Sequence, residues 1–349
     1  MARTVLWASL ALVPITFVVD LAFHPGDVPL FILSAAALIP LAWLIGEATE
    51  HAAEHTGPGI GGFLNASFGN APELIIAMFA VGSGLPNVVR GSLAGSVISN
   101  LLLVLGLAMA VGETGKRIDR NSLLLQLGLV AVAIAAFVAP SVAGWHGDPE
   151  RHSLAVLTAP LAAALLVLYL VVQTMQIRRF RASHAATGEE EAAGAWSLPR
   201  ALLALALATA ATAFISEILV HSLHGFAESA GLSEFFISIV IVAVIGNAAE
   251  HGGAIVIAHR GKLRLATEIA VSSSAQVAVF LTPAVALLSW LVTPALPLAF
   301  RWEELGAMAF AVGVVSVVVF DGLSKRWQGF TLIGLYLALA VGFGLAGDR

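Results

Sequence analysis

The 349-residue chain contains no cysteine, so disulfide frameworks, thiolate metal sites and cysteine nucleophiles are excluded together. Charge is also scarce: 17 basic and 22 acidic residues make up 11% of the chain, against about 25% in soluble domains. So sparse a set cannot supply a soluble surface for a protein of this size. The net charge is only −5 and the basic residues fall in short clusters, which argues against nucleic acid as a partner. What abounds is apolar, with 59% hydrophobic residues and a mean hydropathy of +0.93. Lipid is the expected solvent.

A membrane-crossing helix needs about 20 mostly apolar residues, because each adds about 1.5 Å of rise against a hydrocarbon core of about 30 Å. Eleven stretches meet this requirement: 5–23, 28–50, 58–82, 88–112, 121–142, 153–176, 198–222, 233–258, 264–290, 303–320 and 327–346. They are too long, and lack the alternation, for the strands of a membrane barrel. The first ends in Phe23-His24-Pro25-Gly26-Asp27 without a small-x-small cleavage pattern and reads as a retained helix. With the N-terminus inside, alternate loops gather Arg3, Lys116, Arg117, Arg120, Arg178, Arg179, Arg181, Arg200, Arg260, Lys262, Arg264, Lys325 and Arg326 on the inner side. Only Arg90, Arg151, Arg301 and Arg349 fall outside. Lys and Arg accumulate on cytoplasmic loops, so the asymmetry predicts a cytoplasmic N-terminus and an outer C-terminus.

The longest polar interruption, about Ile177 to Arg200, carries Arg178, Arg179, Arg181 and the run Glu189-Glu190-Glu191. It reads as a solvated linker or, more pointedly, as a cytosolic cation-sensing segment, although nothing in it has the spacing of a calcium loop. On either side of it the chain repeats itself. Gly69-Asn70-Ala71-Pro72-Glu73 in the third stretch recurs 177 residues later as Gly246-Asn247-Ala248-Ala249-Glu250 in the eighth. Each is followed by a second polar cluster, Ser96 to Asn100 and Ser272-Ser273-Ser274-Ala275-Gln276. The charge count runs the two copies in opposite directions across the membrane. The expected fold is therefore an all-α integral membrane protein of 11 transmembrane helices, with two inverted five-helix repeats (spans 2–6 and 7–11) and an additional N-terminal helix. The corresponding units are residues 1–27, a first repeat 28–176, a linker 177–197 and a second repeat 198–349.

Each Gly-Asn-Ala-x-Glu run falls mid-span, where Gly and, in the first copy, Pro72 weaken the helix and can free backbone carbonyls. An ionisable side chain at that depth costs at least about 2.5–3.5 kcal/mol, which marks Glu73 and Glu250 as functional candidates. Ser96 and Asn100, like Ser272 and Gln276, lie four residues apart and so on one helical face. Helix association by hydroxyl and amide bonding is the simpler role for such residues. Repeated opposite two glutamates, they instead complete a set of carboxylate, amide, hydroxyl and carbonyl oxygens. Calcium takes six to eight such ligands in irregular geometry, whereas softer metals call for His or Cys. Two carboxylates in a poorly hydrated cavity also favour protons through desolvation and like-charge repulsion, and a divalent cation displaces them. Protons and calcium would then compete for one site, as exchange requires.

At this point the chain resembles the calcium/proton antiporter (CAX) family of the cation/calcium exchanger superfamily. The resemblance rests on Gly46-Glu47-Ala48-Thr49-Glu50, on Gly57 to Ala66, on the two glutamate motifs, on Ser216-Glu217-Ile218-Leu219-Val220 and on His251 after the second motif. It implies an eleven-span exchanger of Ca2+ for H+, with Glu73 and Glu250 as the central carboxylates and Asn70, Asn247, Ser273 and Gln276 nearby. Gly69, Gly246, Ser96, Asn100 and Ser272 complete the candidate ion-binding set, with Glu50, Glu217 and His251 as candidates for an access or proton route. No cofactor is implied beyond the transported ions. One departure stands out: His221-Ser222-Leu223-His224 follows Glu217 where the family carries Gly-x-x-Glu.

Sodium/calcium or sodium/proton exchange on the same scaffold is the runner-up; the Gly-Asn-Ala run favours protons, since sodium exchangers of the superfamily tend to carry Gly-Thr-Ser. A membrane zinc metallopeptidase is the remote alternative, because His51-Ala52-Ala53-Glu54-His55 fits H-x-x-E-H. It lacks an evident third ligand. Asp20, Glu268 and Asp321 fall near span ends and read as interfacial. The compact, alanine-rich chain points to a bacterial inner-membrane protein, and a homo-oligomer is compatible with the sequence.

Overall fold

The computed structural model describes residues 2–184, 196–292 and 294–348. Helices α1 (Ala2–Ser9) and α2 (Leu12–Phe23) precede the long α3 (Asp27–Gly69), the short α4 (Ala71–Gly82) and α5 (Pro86–Ile98). A π-helical segment, Ser99–Val104, joins α5 to α6 (Leu105–Val111), after which come α7 (Arg120–Trp145) and α8 (His152–His184). The second part starts with α9 (Leu198–Ala230), then α10 (Glu234–Phe236), a π segment Ile237–Val242, α11 (Ala243–Gly246) and α12 (Ala248–His259). It continues through α13 (Leu263–Gln276), a third π segment Val277–Leu281, α14 (Thr282–Leu288), α15 (Trp302–Val318) and α16 (Arg326–Ala346). The one β feature among the described residues is an isolated bridge, Arg117 to Leu323.

Among the described residues eight helical stretches are long and apolar enough to cross a membrane, and a ninth is the pair Glu234–Gly246 and Ala248–His259, bent by 59°. The expected third span differs because the helix breaks at Asn70, leaving a 12-residue α4 beyond it. The expected tenth span is a helix of 17 residues. Residues 51–57, read from sequence as a connection, are helical; Ala52, Ala53 and Glu54 are helix formers. Leu64 and Phe68 pack on the cluster that holds Ile45, Ala48, Ala71 and Trp196 together with Ala201, Leu205 and Ala208 of α9. Helix α8 continues to His184, into the expected linker, whereas Glu189 to Glu191 lie outside the described residues.

Enclosure is uneven. The N-terminal span is 6% buried and rests on its neighbours through Trp7 against Trp43 and Phe17 against Phe214. Pro86–Val111 and Leu263–Leu291, which carry the second polar clusters of the two repeats, are 78% and 67% buried and form the centre. Gly91 and Gly95, a small-xxx-small pair, let α5 close on the Ile237–Val242 segment. A methyl group on Gly95 would collide with the Ile239 carbonyl, and one on Gly91 with the Ser238 hydroxyl. Arg90, counted from sequence among the loop residues, is instead a fully buried side chain of α5. Its guanidinium donates to Glu150 at 2.5 and 3.4 Å, to Asn87 Oδ1 at 2.8 Å and to the Pro297 carbonyl at 3.3 Å. Those partners meet the requirement that a buried charge be paired and hydrogen-bonded.

Candidate functional site

The two motif asparagines end helices in nearly the same backbone conformation. Asn70 separates α3 from α4 at φ −96°, ψ 13°, and Asn247 separates α11 from α12 at φ −90°, ψ 7°. Helical bonding resumes identically, with Leu74 N–H donating to the Asn70 carbonyl and His251 N–H to the Asn247 carbonyl. Each glutamate thus sits in the first turn of a new helix, where backbone N–H groups favour negative charge.

The side chains cross between the halves. Asn70 donates to Gln276 Oε1 at 3.1 Å, and Asn100 donates to Asn247 Oδ1 at 3.4 Å. Gln276 and Asn100 are repeat counterparts, so each break is held by the other half. Asn247 also donates to Ser96 Oγ at 2.8 Å and to the Ala243 carbonyl at 2.9 Å. The glycines do the same for the carboxylates. A methyl group built on Gly246 would lie 3.0 Å from Glu73 Cγ, and one on Gly69 would lie 3.6 Å from Glu250 Oε1. Each glutamate therefore rests against the motif glycine of the opposite copy.

Glu250 Oε2 accepts the Ser273 hydroxyl at 2.5 Å. Both oxygens of Glu73 are buried without a hydrogen-bond partner among the described residues. A void of about 10 Å³ beside Glu73, bordered by Ser92, Ser96 and Gly246, is at the lower limit for one water. π-helical turns, which recur at functional sites, adjoin both polar clusters: Ser99–Val104 takes in the end of the first, with Asn100, and Val277–Leu281 follows the second. Sequence reading found these residue types but had no signal for the π turns, whose extra residue re-aims side chains without changing the apolar pattern.

Of the other candidates, Ser272 bonds the Ile269 carbonyl and lines a separate cavity instead of joining the glutamates. His251 is buried beside Glu250, its Nε2 without a partner among the described residues. Glu50 is exposed, and Glu217 lines an opening of about 320 Å³ with Asp20, Asp27 and His221. Next to them in sequence, the hydroxyls of Thr49 and Ser216 are buried along α3 and α9 without a hydrogen-bond partner among the described residues. The H-x-x-E-H histidines are engaged elsewhere: His51 stacks on Trp196 and His55 Nε2 bonds the Trp196 carbonyl at 2.6 Å. Among the described residues no group of three His, Cys, Asp or Glu could hold a metal.

The model of the sodium/calcium exchanger protein family matches this chain twice, over residues 27–178 and 200–344. The Ca2+/H+ antiporter ChaA of Bacillus subtilis (strain 168) is 40% identical over 339 residues, covering 95% of this chain and 96% of the relative. The chain belongs to the sodium/calcium exchanger family. Within it the similarity runs to the calcium/proton antiporter branch, as the motifs implied. Vacuolar cation/proton exchanger 1a of Oryza sativa subsp. japonica is 35% identical over 93% of this chain and 76% of that protein. Among solved structures, native YfkE superposes with a TM-score of 0.84 at 36% identity, covering 97% of this chain and 99% of that one. An H+/Ca2+ exchanger CAX matches with a TM-score of 0.75 at 15% identity, a likeness of fold. Membership of this exchanger family makes the chain a transporter, and the metallopeptidase reading of His51 to His55 falls.

Proposed function

We propose that this protein exchanges Ca2+ for H+ across a membrane, with Glu73 and Glu250 binding the two ions in competition. The observation that carries the reading is the reciprocal seating of the two glutamates on Gly246 and Gly69, braced by amide bonds that cross between halves. Carboxylates held this way, with the hydroxyl of Ser273 and the carbonyl oxygens of Asn70 and Asn247, offer Ca2+ an all-oxygen environment. Removal of the cation leaves negative charge in a poorly hydrated place, which protons neutralise at least cost. Relatives named as Ca2+/H+ antiporters, similar over nearly the whole chain, support the choice of ions.

In this reading residues 28–176 and 198–349 are the inverted halves, joined by a cytosolic linker 177–197, and residues 1–27 are an addition. The N-terminus is cytoplasmic, the C-terminus is outside and Ca2+ leaves the cytosol by alternating access. Glu50 and Glu217, each beside a buried hydroxyl on α3 or α9 that has no hydrogen-bond partner among the described residues, mark the access routes, and His251 adjusts proton exchange at Glu250. Purified protein in liposomes with an imposed pH gradient is expected to take up radiocalcium without sodium. A strict sodium requirement would transfer the assignment to sodium/calcium exchange. Proton-driven uptake retained after Glu73→Gln or Glu250→Gln would refute the shared site.

A further inference from the structure

A cavity of about 220 Å³ lies between α7, α8 and α13, apart from the glutamate pair. Three helices turn polar groups into it: Ser122 and Gln126 from α7, Gln173 from α8, and Glu268, Ser272 and Gln276 from α13. Polar groups so concentrated at membrane depth need water or one another, and the space suffices for several waters. Gln173 supplies part of the wall by donating to the Tyr169 hydroxyl at 2.8 Å. Along α13 the row begins one step earlier, at Arg264, and its members recur every fourth residue, so Arg264, Glu268, Ser272 and Gln276 share one face.

The two ends of this row differ in chemistry. Its deep end is Gln276, which holds Asn70 at the break before Glu73. Its shallow end, Glu268, also borders a second, more open cavity of about 440 Å³ lined by Lys116, Arg117, Lys262 and Arg264. Arg264 is paired with Asp119 and with Glu268, and Lys116 with Glu113, whereas Arg117 and Lys262 have no ion-pair partner among the described residues. The mouth is therefore net positive. A positive mouth disfavours a hydrated divalent cation, whose charge doubles the repulsion, far more than it disfavours water. Inside it Glu268 is the one carboxylate of the cavity wall among the described residues, with Tyr169 the other titratable group.

We propose that this polar row is a proton route distinct from the path taken by Ca2+, running from Glu268 past Ser272 to the Gln276–Asn70 pair. The proposal rests on the exchange reading above. Glu268 takes a proton at the mouth and releases it to water in the cavity. Each water accepts one proton and passes one on, so nothing else is consumed. The Gln276–Asn70 bond closes the inner end, and its rotation connects the water to the glutamates.

Because the natural chain has no cysteine, a single Gln126→Cys supplies one reactive thiol in an otherwise silent background. In proteoliposomes, an anionic methanethiosulfonate reagent added on the side of Lys262 should modify it roughly tenfold faster than a cationic one. Val132→Cys, on the outer, exposed face of α7, is the unreactive control. Modification should slow Ca2+-driven proton flux several-fold and leave half-saturating Ca2+ unchanged. Glu268→Gln should slow exchange several-fold in the same pattern. A thiol inert to both reagents, a faster cationic reagent, or a rise in half-saturating Ca2+ for Glu268→Gln would overturn the route. Thiol reactivity requires no exchange, so failure of the exchange reading shows separately, as an unmodified protein that moves no Ca2+.

Discussion

The two halves build the same corner of the site and finish it differently. Both break a helix at an asparagine, place a glutamate three residues later and lean it on the other half's glycine. In the second half the glutamate has a hydroxyl partner, Ser273. In the first half the position matching Ser273 is Val97, which has no hydroxyl; Ser96, the counterpart of Ser272, serves Asn247, and Glu73 keeps both oxygens without a hydrogen-bond partner among the described residues. Symmetry therefore supplies the cradle, and its local violation distinguishes the carboxylates. Glu250 is held by Ser273, while Glu73 has no such partner among the described residues; in the exchange reading proposed above, Glu73 is the group that turns toward an arriving cation.

The largest effect should come from removing either charge. Glu73→Gln and Glu250→Gln are each expected to reduce Ca2+/H+ exchange in liposomes to background, and unequal residual activity would break the symmetric part of the comparison. Next come the glycines. Gly246→Ala places a methyl 3.0 Å from Glu73 Cγ, close enough that Glu73 must shift by a few tenths of an ångström, whereas the Gly69→Ala methyl makes an ordinary 3.6 Å contact with Glu250. Overpacking of this kind costs about 1–3 kcal/mol, so Gly246→Ala should lower Ca2+ affinity clearly more than Gly69→Ala in a binding titration. Equal losses would show that the cradle is looser than its geometry.

The serines test the asymmetry itself. Ser273→Ala removes a hydrogen bond to a carboxylate, worth about 1.5–3 kcal/mol, and should raise half-saturating Ca2+ roughly tenfold or more. Ser96→Ala removes support one step further back and should cost less. The reverse order would assign the positioned role to Glu73. The smallest effect lies outside both sites, at Asp321, where the Lys325 ammonium at 2.5 Å and the Leu323 N–H hold the carboxyl below its ordinary range. A lowered folded-state value means that its contribution is present above about pH 4 and lost as pH falls through the folded value. The pair is exposed and screened by solvent, so Asp321→Asn should shift thermal stability slightly at neutral pH, not at all in acid, and leave exchange intact.

Much of this was legible in the chain because the membrane restricts the options. Runs of apolar residues had to be helices, and Glu73 and Glu250 stood out because carboxylates at that depth need a reason. A weakened helix near each Gly-Asn run was legible from Gly and Pro72, whereas the break at each asparagine follows from the fold. Span limits were less accessible. The 51–57 stretch carries the polar residues of a loop and also the alanines of a helix, and only packing decides between them. Arg90 was misplaced for a related reason: a lone arginine reads as interfacial unless the distant partners that bury it, Glu150 and the Pro297 carbonyl, are known. Glu268 stands near a span end, as expected, and its place in a cavity wall depends on α7 and α8, which the sequence does not place beside it.

The crossing of amide bonds between the halves has a bearing on biogenesis. Synthesis delivers α4 and α5 long before α12 and α13, so Asn70, Ser96 and Asn100 enter the bilayer ahead of the groups that satisfy them. Until Asn247 and Gln276 arrive, the first half must hold these amides against water, lipid or a chaperone. Assembly of the centre is then a late, long-range event, and the nascent chain is most vulnerable to quality control while α9 to α13 are being made.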